Sequence, residues 1–161
     1  MKPHRIETLI TSEQVSTRIS MMANEITRTL PQDLMVIALL RGSFVFTADL
    51  IRAFYASGTT SKGSVTIIRD ITENVQGRDV LLVDDILESG RTLSFAKNLI
   101  NERGPRSVHI AVMLEKPGHR KVEINADFVG FTIPDKFVVG MGLDYANYYR
   151  ELPYIGAVEF E

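Results

Sequence analysis

Cysteine is absent from the 161 residues of this chain. Its absence excludes a disulfide framework, a thiolate metal site and a cysteine nucleophile, and it fits a cytoplasmic protein. Long apolar runs are also missing, because no stretch approaches the roughly 20 residues that a membrane helix needs. The first residues, MKPHRIETLITSEQ, contain no apolar core of the kind found in signal peptides. We therefore expect a soluble protein in the cytoplasm.

A marked excess of either charge is lacking as well. The chain has 18 basic and 20 acidic residues, a formal net charge of -2, and so shows no general electrostatic footprint for nucleic acid. We find no internal repeat, low-complexity tract or linker. With 45% hydrophobic residues, the chain is long enough for one compact domain with a substantial core. We expect a single domain over residues 1–161, with neither nucleic acid nor a membrane as a partner.

The sequence does contain short apolar runs separated by helical patterns. Continuous runs, typical of strands buried on both faces, lie at 34–40, 79–84 and 107–114, and shorter or more exposed candidates lie at 64–70, 127–133, 136–140 and 154–160. Helices are predicted from Val15 to Leu30, with Thr11 and Gln14 as a capping box, at 43–55, and over a segment that ends at Gly104. This alternation predicts an α/β fold with a mostly parallel, twisted sheet flanked by helices.

The segment VLLVDDILESGRTL, residues 80–93, concentrates polar residues after a predicted buried strand. Ligands of parallel α/β sheets bind beyond the carboxyl ends of the strands, where Asp84 and Asp85 are expected to leave the strand. Two adjacent carboxylates are costly to bury unless hydroxyls, a metal ion or a cation meet them. The residues that follow turn into a helix, whose first N–H groups, with the hydroxyls of Ser89 and Thr92, can bind a phosphate.

Each of these residues also has an ordinary structural interpretation. Ser89 or Thr92 could cap the helix, Gly90 could serve the turn, and the two acids could form a solvated strand end. The segment is not a Walker A loop, which needs a lysine after its second glycine. The combination of the residues nevertheless favours a phosphate site over these separate explanations.

The order of the motifs resembles the type I phosphoribosyltransferases. The paired acids and the Gly-Thr loop match that family's phosphoribosyl-diphosphate signature, and ALLRGSF, IPDKFVVG and GLDYANYYRELPYIG match its 6-oxopurine branch. The resemblance covers most of the chain. It implies that family's fold, with a small hood formed by the terminal segments. It also implies a purine-salvage reaction in which the 5-phosphoribosyl group of phosphoribosyl diphosphate moves to N9 of hypoxanthine or guanine, giving IMP or GMP and diphosphate.

The resemblance further implies roles for individual residues. The ribose hydroxyls would be bound by Asp84 and Asp85, and the 5′-phosphate by Glu88, Ser89, Gly90, Arg91 and Thr92. The diphosphate would be bound by Leu40, Arg41, Gly42 and Arg150. The family commonly has a cis peptide bond before the basic residue that corresponds to Arg41. The purine would be bound by Lys116 at its 6-oxo group, by Phe137 through stacking, and by Val138 and Asp144. The implied cofactor is Mg²⁺, held by Asp84, Asp85 and Asp144, and the implied assembly is a homo-oligomer, either a dimer or a tetramer.

Two features depart from the family pattern. Glu88 stands where the family usually has an aspartate beside purine N7, so the resemblance implies a catalytic proton acceptor that is one methylene longer. The strand and Ser-Tyr segment that open the family's lid are not found, since LIRAFYASG is followed directly by TTSKGSVTIIRD. We expect that residues are missing between Gly58 and Thr59, rather than that the lid is short.

Other interpretations stay open at this point. An enzyme that prefers xanthine or guanine would keep every motif. A nucleic-acid-binding regulator with the same fold would keep the phosphate loop but would add a basic face, which the net charge does not support. Taken singly, Arg41, Lys116 and Arg150 could be ordinary surface cations and Phe137 a core residue.

Overall fold

The computed structural model describes residues 1–31, 33–56, 65–68 and 73–161, and for residues 65–68 it describes the backbone alone. Gly58 and Thr59 lie outside the described residues. The expected break between them therefore stays a prediction.

Two sheets are formed in these ranges. The strands are β1 (His4–Ile10), β2 (Leu34–Leu39), β3 (Val65–Ile68), β4 (Asp79–Leu87), β5 (Ser107–Glu115), β6 (Phe128–Thr132), β7 (Val138–Val139) and β8 (Ile155–Phe160), and the helices are α1 (Ser12–Thr29), α2 (Phe44–Ala56) and α3 (Arg91–Asn101). The larger sheet has the order β3-β2-β4-β5-β6, and all its pairs are parallel. The smaller sheet, β1-β8-β7, is antiparallel and joins the two ends of the chain, and we call it the hood. The predicted α/β fold with a hood of terminal segments is confirmed.

Helices cover both faces of the larger sheet. Leu81 and Val83 of β4 pack in one core cluster with residues of α1 and α2, whereas Val80 and Leu82 pack in a second cluster with residues of α3. This alternation is the two-residue period of a strand. It explains why the central strands are continuous apolar runs, because both of their faces are buried.

The ends of α1 are set by the residues predicted to set them. The hydroxyl of Thr11 accepts a hydrogen bond from the Gln14 amide at 3.2 Å, and the Thr11 amide donates to the Gln14 side chain at 2.9 Å. The helix ends at Thr29, two residues before Pro31. The predicted capping box is therefore confirmed. No helix within the described ranges combines the length and the apolar character that are needed to cross a membrane.

Two predictions about strands were incomplete or wrong. β1 was not predicted, because only Ile10 of its seven residues is buried and its apolar positions are few. β4 was expected to end at 84 but continues to Leu87. Its pairing with β2 stops at Val83, whereas its pairing with β5 continues to Leu87. Asp84 and Asp85 therefore lie within the strand, in a stretch that has lost one of its two neighbours, and this opens space beyond the end of β2.

Candidate functional site

The turn between β2 and α2 packs against β4. The Leu40–Arg41 peptide bond is cis, as the resemblance implied. A Cβ atom added to Gly42 would lie 1.7 Å from Oδ2 of Asp85. A side chain at this position would force the Asp85 carboxylate to move, so Gly42 lets the 40–42 loop pack closely against that carboxylate.

Asp84 and Asp85 are partly buried and lie side by side. Their carboxylates accept hydrogen bonds from the backbone: the Asp85 amide donates to Asp84 at 2.9 Å, and the Ile86 amide donates to Asp85 at 2.7 Å. Burial, followed by the charge of Asp85, raises the pKa of Asp84 to about 8. Burial also raises the pKa of Asp85, although the charge of Arg150 acts in the opposite direction. The pair is therefore short of positive charge in the ligand-free protein.

The 88–92 loop leads from β4 into α3. Gly90 is the N-cap residue of α3, with φ of 79°, and it has no side chain with which to cap the helix. A Cβ atom there would lie 2.4 Å from a methyl carbon of Ile124, so glycine is required by both conformation and space. Ser89 does not act as the N-cap but accepts from the Arg91 amide at 3.3 Å. The N-cap residue of α3 thus provides no side-chain cap, and the helix N-terminus is a favourable place for an anion.

Arg120 supports this loop from behind and was missed in the sequence. Its guanidinium donates to the carbonyl oxygens of Glu88 at 2.8 Å and Leu87 at 3.3 Å, and it pairs with Glu115 at 2.5 Å. The Lys121 amide adds a bond of 2.9 Å to the Ser89 carbonyl. These bonds hold the carbonyl oxygens of the loop. No local pattern would have identified Arg120, since its partner Glu88 is 32 residues away in the sequence.

Lys116 follows β5 and is buried, with 7% of its surface exposed. Its ammonium lies 3.5 Å from an oxygen of Glu88 and 3.8 Å from an oxygen of Asp135, and His119 contacts Asp135 at 3.2 Å. Oxygen and nitrogen atoms of Glu88, His119 and Asp135 lie within 4.8 Å of one another, a spacing that a metal ion can bridge. Lys116 already supplies a positive charge there, so we interpret the cluster as the surroundings of a lysine rather than as a metal centre.

Residues 137–150, which include β7 of the hood and the segment that leads from it towards β8, contribute the remaining predicted residues. Phe137 is 46% exposed and Val138 is buried. Asp144 pairs with Arg150 at 3.0 Å and accepts from the Asn147 amide at 2.8 Å, while Arg150 also donates to the Gly142 carbonyl at 2.5 Å. The resemblance assigned Asp144 to the purine and Mg²⁺, and Arg150 to the diphosphate. In this structure the two side chains form an ion pair with each other.

Nearly all predicted site residues line two clefts that share a wall. The larger cleft has a volume of about 530 Å³ and is lined by Leu40, Arg41, Gly42, Asp85, Ile86, Glu88, Lys116, Phe137, Val138, Leu143, Asp144 and Arg150. The smaller cleft, of about 270 Å³, is lined by Leu39, Leu40, Gly42, Asp84, Asp85, Ile86, Leu87, Glu88, Ser89, Gly90, Thr92 and Leu93. Arg91 is exposed and lines neither cleft. One site thus combines two carboxylates, a helix N-terminus, an exposed ring and a buried ammonium.

The raised pKa of Asp84 predicts how stability changes with pH. In metal-free protein, the Asp84 carboxyl has a pKa of about 8 when folded and an ordinary pKa of 3.8 when unfolded, so between these pH values the folded state binds more protons than the unfolded state. Stability should therefore fall as pH rises through that window. We expect Asp84→Asn to raise the free energy of unfolding at pH 8 by about 1 to 3 kcal/mol, with a smaller effect near pH 5.

Thermal or urea unfolding across pH, with a chelator present, measures this difference. Asp49→Asn is the matched control, since Asp49 is a more accessible carboxylate on α2 that pairs with Arg52 at 3.2 Å. A variant that is equally destabilised at both pH values would contradict the expectation.

Comparisons with known proteins agree with this geometry. Residues 7–146 match the phosphoribosyl transferase domain. The chain is 43% identical, over 174 aligned positions and 98% of both chains, to the hypoxanthine phosphoribosyltransferase of Buchnera aphidicola. It is 41% identical to the hypoxanthine-guanine phosphoribosyltransferase of Bacillus subtilis, over 99% of this chain and 97% of the relative. The crystal structure of a hypoxanthine-guanine phosphoribosyltransferase from Bacillus anthracis superposes with a TM-score of 0.90 at 37% identity, over 98% of this chain and all of the other. The chain therefore belongs to the phosphoribosyltransferase family, among the hypoxanthine phosphoribosyltransferases.

Proposed function

We propose that the protein transfers the 5-phosphoribosyl group of phosphoribosyl diphosphate to N9 of hypoxanthine, and of guanine, with release of diphosphate. The observation that carries the proposal is the meeting of two clefts at Asp85. One cleft offers acceptors and a helix N-terminus, which suit a phosphorylated sugar, and the other offers a ring and an ammonium, which suit an oxopurine. The shared wall would bring C1 of the donor's ribose next to N9 of the base.

The donor would be held by groups of opposite chemical character. Carboxylates accept hydrogen bonds, so Asp84 and Asp85 suit the ribose hydroxyls, whereas the N–H groups of residues 88–92 suit the 5′-phosphate dianion. The 40–42 loop and Arg150 face the same cleft and suit the diphosphate. As the bond from C1 to diphosphate weakens, negative charge grows on the leaving group. The cations of Arg41 and Arg150 would stabilise this charge more in the transition state than in the ground state.

The base would be bound by Lys116, Phe137 and Val138. An ammonium can donate but cannot accept, so Lys116 suits a 6-oxo group and does not suit a 6-amino group. When N9 forms its bond to C1, the proton on N7 of the base can pass to the carboxylate of Glu88. The Glu88 carboxylate lies 3.5 Å from the ammonium of Lys116, which places it beside the lysine proposed to bind the base.

The carboxylates fit the Mg²⁺ ion that the family implies. Carboxylate oxygens are the ligands that Mg²⁺ prefers, and burial leaves Asp84 and Asp85 short of positive charge. These two residues, with Asp144, would hold the ion, which would neutralise charge on the diphosphate. Asp144 pairs with Arg150 in the ligand-free protein. A homo-oligomer and a cytoplasmic location remain expectations from the sequence.

Base selectivity tests the proposal. With phosphoribosyl diphosphate and Mg²⁺, we expect turnover of hypoxanthine and guanine and a poor rate with adenine. The rate with xanthine, measured in the same assay, completes the ranking of the oxopurines. Lys116→Ala should lower kcat/KM for hypoxanthine by about 10- to 100-fold, the loss expected for a hydrogen bond from a charged group, and adenine should be affected much less. Lys121→Ala is the control, since Lys121 is an exposed lysine in the same segment.

The results test the proposed class of base and the role of Lys116 separately. Comparable turnover of adenine and hypoxanthine by the unmodified protein would contradict the proposed base class. Full discrimination by Lys116→Ala would remove only Lys116 from the explanation.

A separate prediction concerns the joint at Gly58 and Thr59. The match to the Buchnera aphidicola protein spans 174 aligned positions, more than the 161 residues of this chain, so that relative has positions that this chain lacks. We propose that the missing positions include a lid segment between Gly58 and Thr59. Intact-mass measurement and peptide mapping of the expressed protein should then show residues between the two. A mass of 18.1 kDa, with a peptide that contains a Gly58–Thr59 bond, would show a shortened lid instead.

A further inference from the structure

His4, at the start of β1, lies at the centre of a group of rings in the hood. Its imidazole contacts Tyr145 edge-on, with centroids 5.1 Å apart, and contacts Tyr149 at 5.7 Å. Tyr145 in turn contacts Phe137 at 5.6 Å and Phe160 at 5.6 Å. Phe137, the ring proposed to stack on the purine, is therefore backed by Tyr145, which is itself backed by His4.

The segment that carries Asp144 and Arg150 has an unusual backbone. Six residues between 140 and 150 have positive φ, and four of these are not glycine: Met141, Ala146, Asn147 and Tyr149. Two tight reversals with positive φ at both central residues, at 140–143 and 145–148, lie on either side of Asp144. Tyr149 has φ of 79°, a left-handed conformation that is unfavourable for a residue with a side chain. Contacts elsewhere must hold it.

His4 provides such a contact. One ring nitrogen, Nδ1, lies 2.7 Å from the Lys2 carbonyl oxygen, which can only accept, so Nδ1 carries a proton. The other, Nε2, lies 2.7 Å from the Tyr149 hydroxyl and, in the ring protonated at Nδ1 alone, accepts a hydrogen bond from it. The Lys2 amide donates to the Tyr145 hydroxyl at 3.3 Å. The N-terminal segment, through Lys2 and His4, thus contacts the hydroxyls of both tyrosines.

Each tyrosine is covalently next to a site residue. Tyr149 precedes Arg150, and Tyr145 follows Asp144; both Arg150 and Asp144 line the larger cleft. A shift of Tyr149 would move the backbone of Arg150, and a shift of Tyr145 would remove the support behind Phe137. His4 does not line either cleft itself.

We propose that His4 is a positioning residue that fixes Arg150 through Tyr149 and Phe137 through Tyr145, and so aligns the diphosphate and purine ends of the site. The inference rests on the proposed function, because it assigns these two ends to the donor and the base. It makes the affinity for both substrates depend on a residue of β1 that touches neither of them.

The experiment compares His4→Ala, Tyr149→Phe and the double variant with the unmodified protein. Tyr149→Phe keeps the ring and removes one hydrogen bond, so the KM for phosphoribosyl diphosphate should rise about fivefold, with the KM for hypoxanthine nearly unchanged. His4→Ala should raise both KM values about fivefold, since it also removes the ring contact with Tyr145, while kcat changes less than about twofold. In the His4→Ala background, Tyr149→Phe should add less than about a twofold change, because the two act through one bond.

A merely structural role gives a different result. Loss of folded protein would lower the apparent kcat and the melting temperature while both KM values stay unchanged. Arg5→Ala is the matched control in β1, since Arg5 is exposed and pairs with Glu7 at 2.8 Å. It should leave the kinetic constants unaltered.

Unchanged KM values in folded Tyr149→Phe and His4→Ala, or additive effects in the double variant, would overturn the inference. If His4→Ala fails to fold, Tyr149→Phe alone decides, because an unchanged KM for phosphoribosyl diphosphate in that variant is incompatible with the inference. Calorimetric binding of IMP to the unmodified protein distinguishes failure of the proposed function from failure of the inference about His4. Absence of both turnover and IMP binding would reject the proposed function together with this inference, whereas normal activity with unaltered variants would reject this inference alone.

Discussion

The site is built around the burial of two neighbouring carboxylates. Asp84 and Asp85 lie in a strand whose pairing with β2 has just ended, and burial raises the pKa of both. Such a pair destabilises the ligand-free protein at neutral pH unless positive charge or hydroxyl groups approach it. This unfavourable burial occurs towards the carboxyl ends of the parallel strands, where ligands of such sheets bind.

Close packing of backbone around the carboxylates gives the site its shape. Gly42 presses against Asp85, and a Cβ atom on Gly142 would lie 2.2 Å from the Gly42 carbonyl oxygen. Gly42 therefore lies between Asp85 of β4 and Gly142, and the Gly142 position has no room for a side chain against the Gly42 backbone. This contact joins the segment proposed to bind diphosphate to the one that carries Arg150. The 88–92 loop is fixed independently, by Arg120 and by the packing of Gly90 against Ile124.

Much of this arrangement could be predicted because its signals are local. Buried strands are continuous apolar runs, the capping box of α1 needs two residues three apart, and the paired acids and glycine of the 80–93 segment follow one another in the sequence. The parts that were missed depend on distant contacts. His4 and Tyr149 are 145 residues apart, and β1 exists because β8 pairs with it. Ala146 and Tyr149 have positive φ although their residue types disfavour it, so no propensity could reveal these reversals. The end of β4 was misplaced because two acids suggested a loop, whereas pairing with β5 carries the strand to Leu87.

The double variant Asp84→Asn with Asp85→Asn tests the central claim most directly, because it removes both charges while it keeps the size of the side chains. Its donor binding and its free energy of unfolding would be measured on the same preparation at neutral pH. The account predicts a fold at least as stable as that of the unmodified protein, and binding of phosphoribosyl diphosphate weakened by about a hundredfold, since hydrogen bonds to charged groups are lost. Unchanged steady-state kinetics and donor affinity in the folded double variant would contradict it.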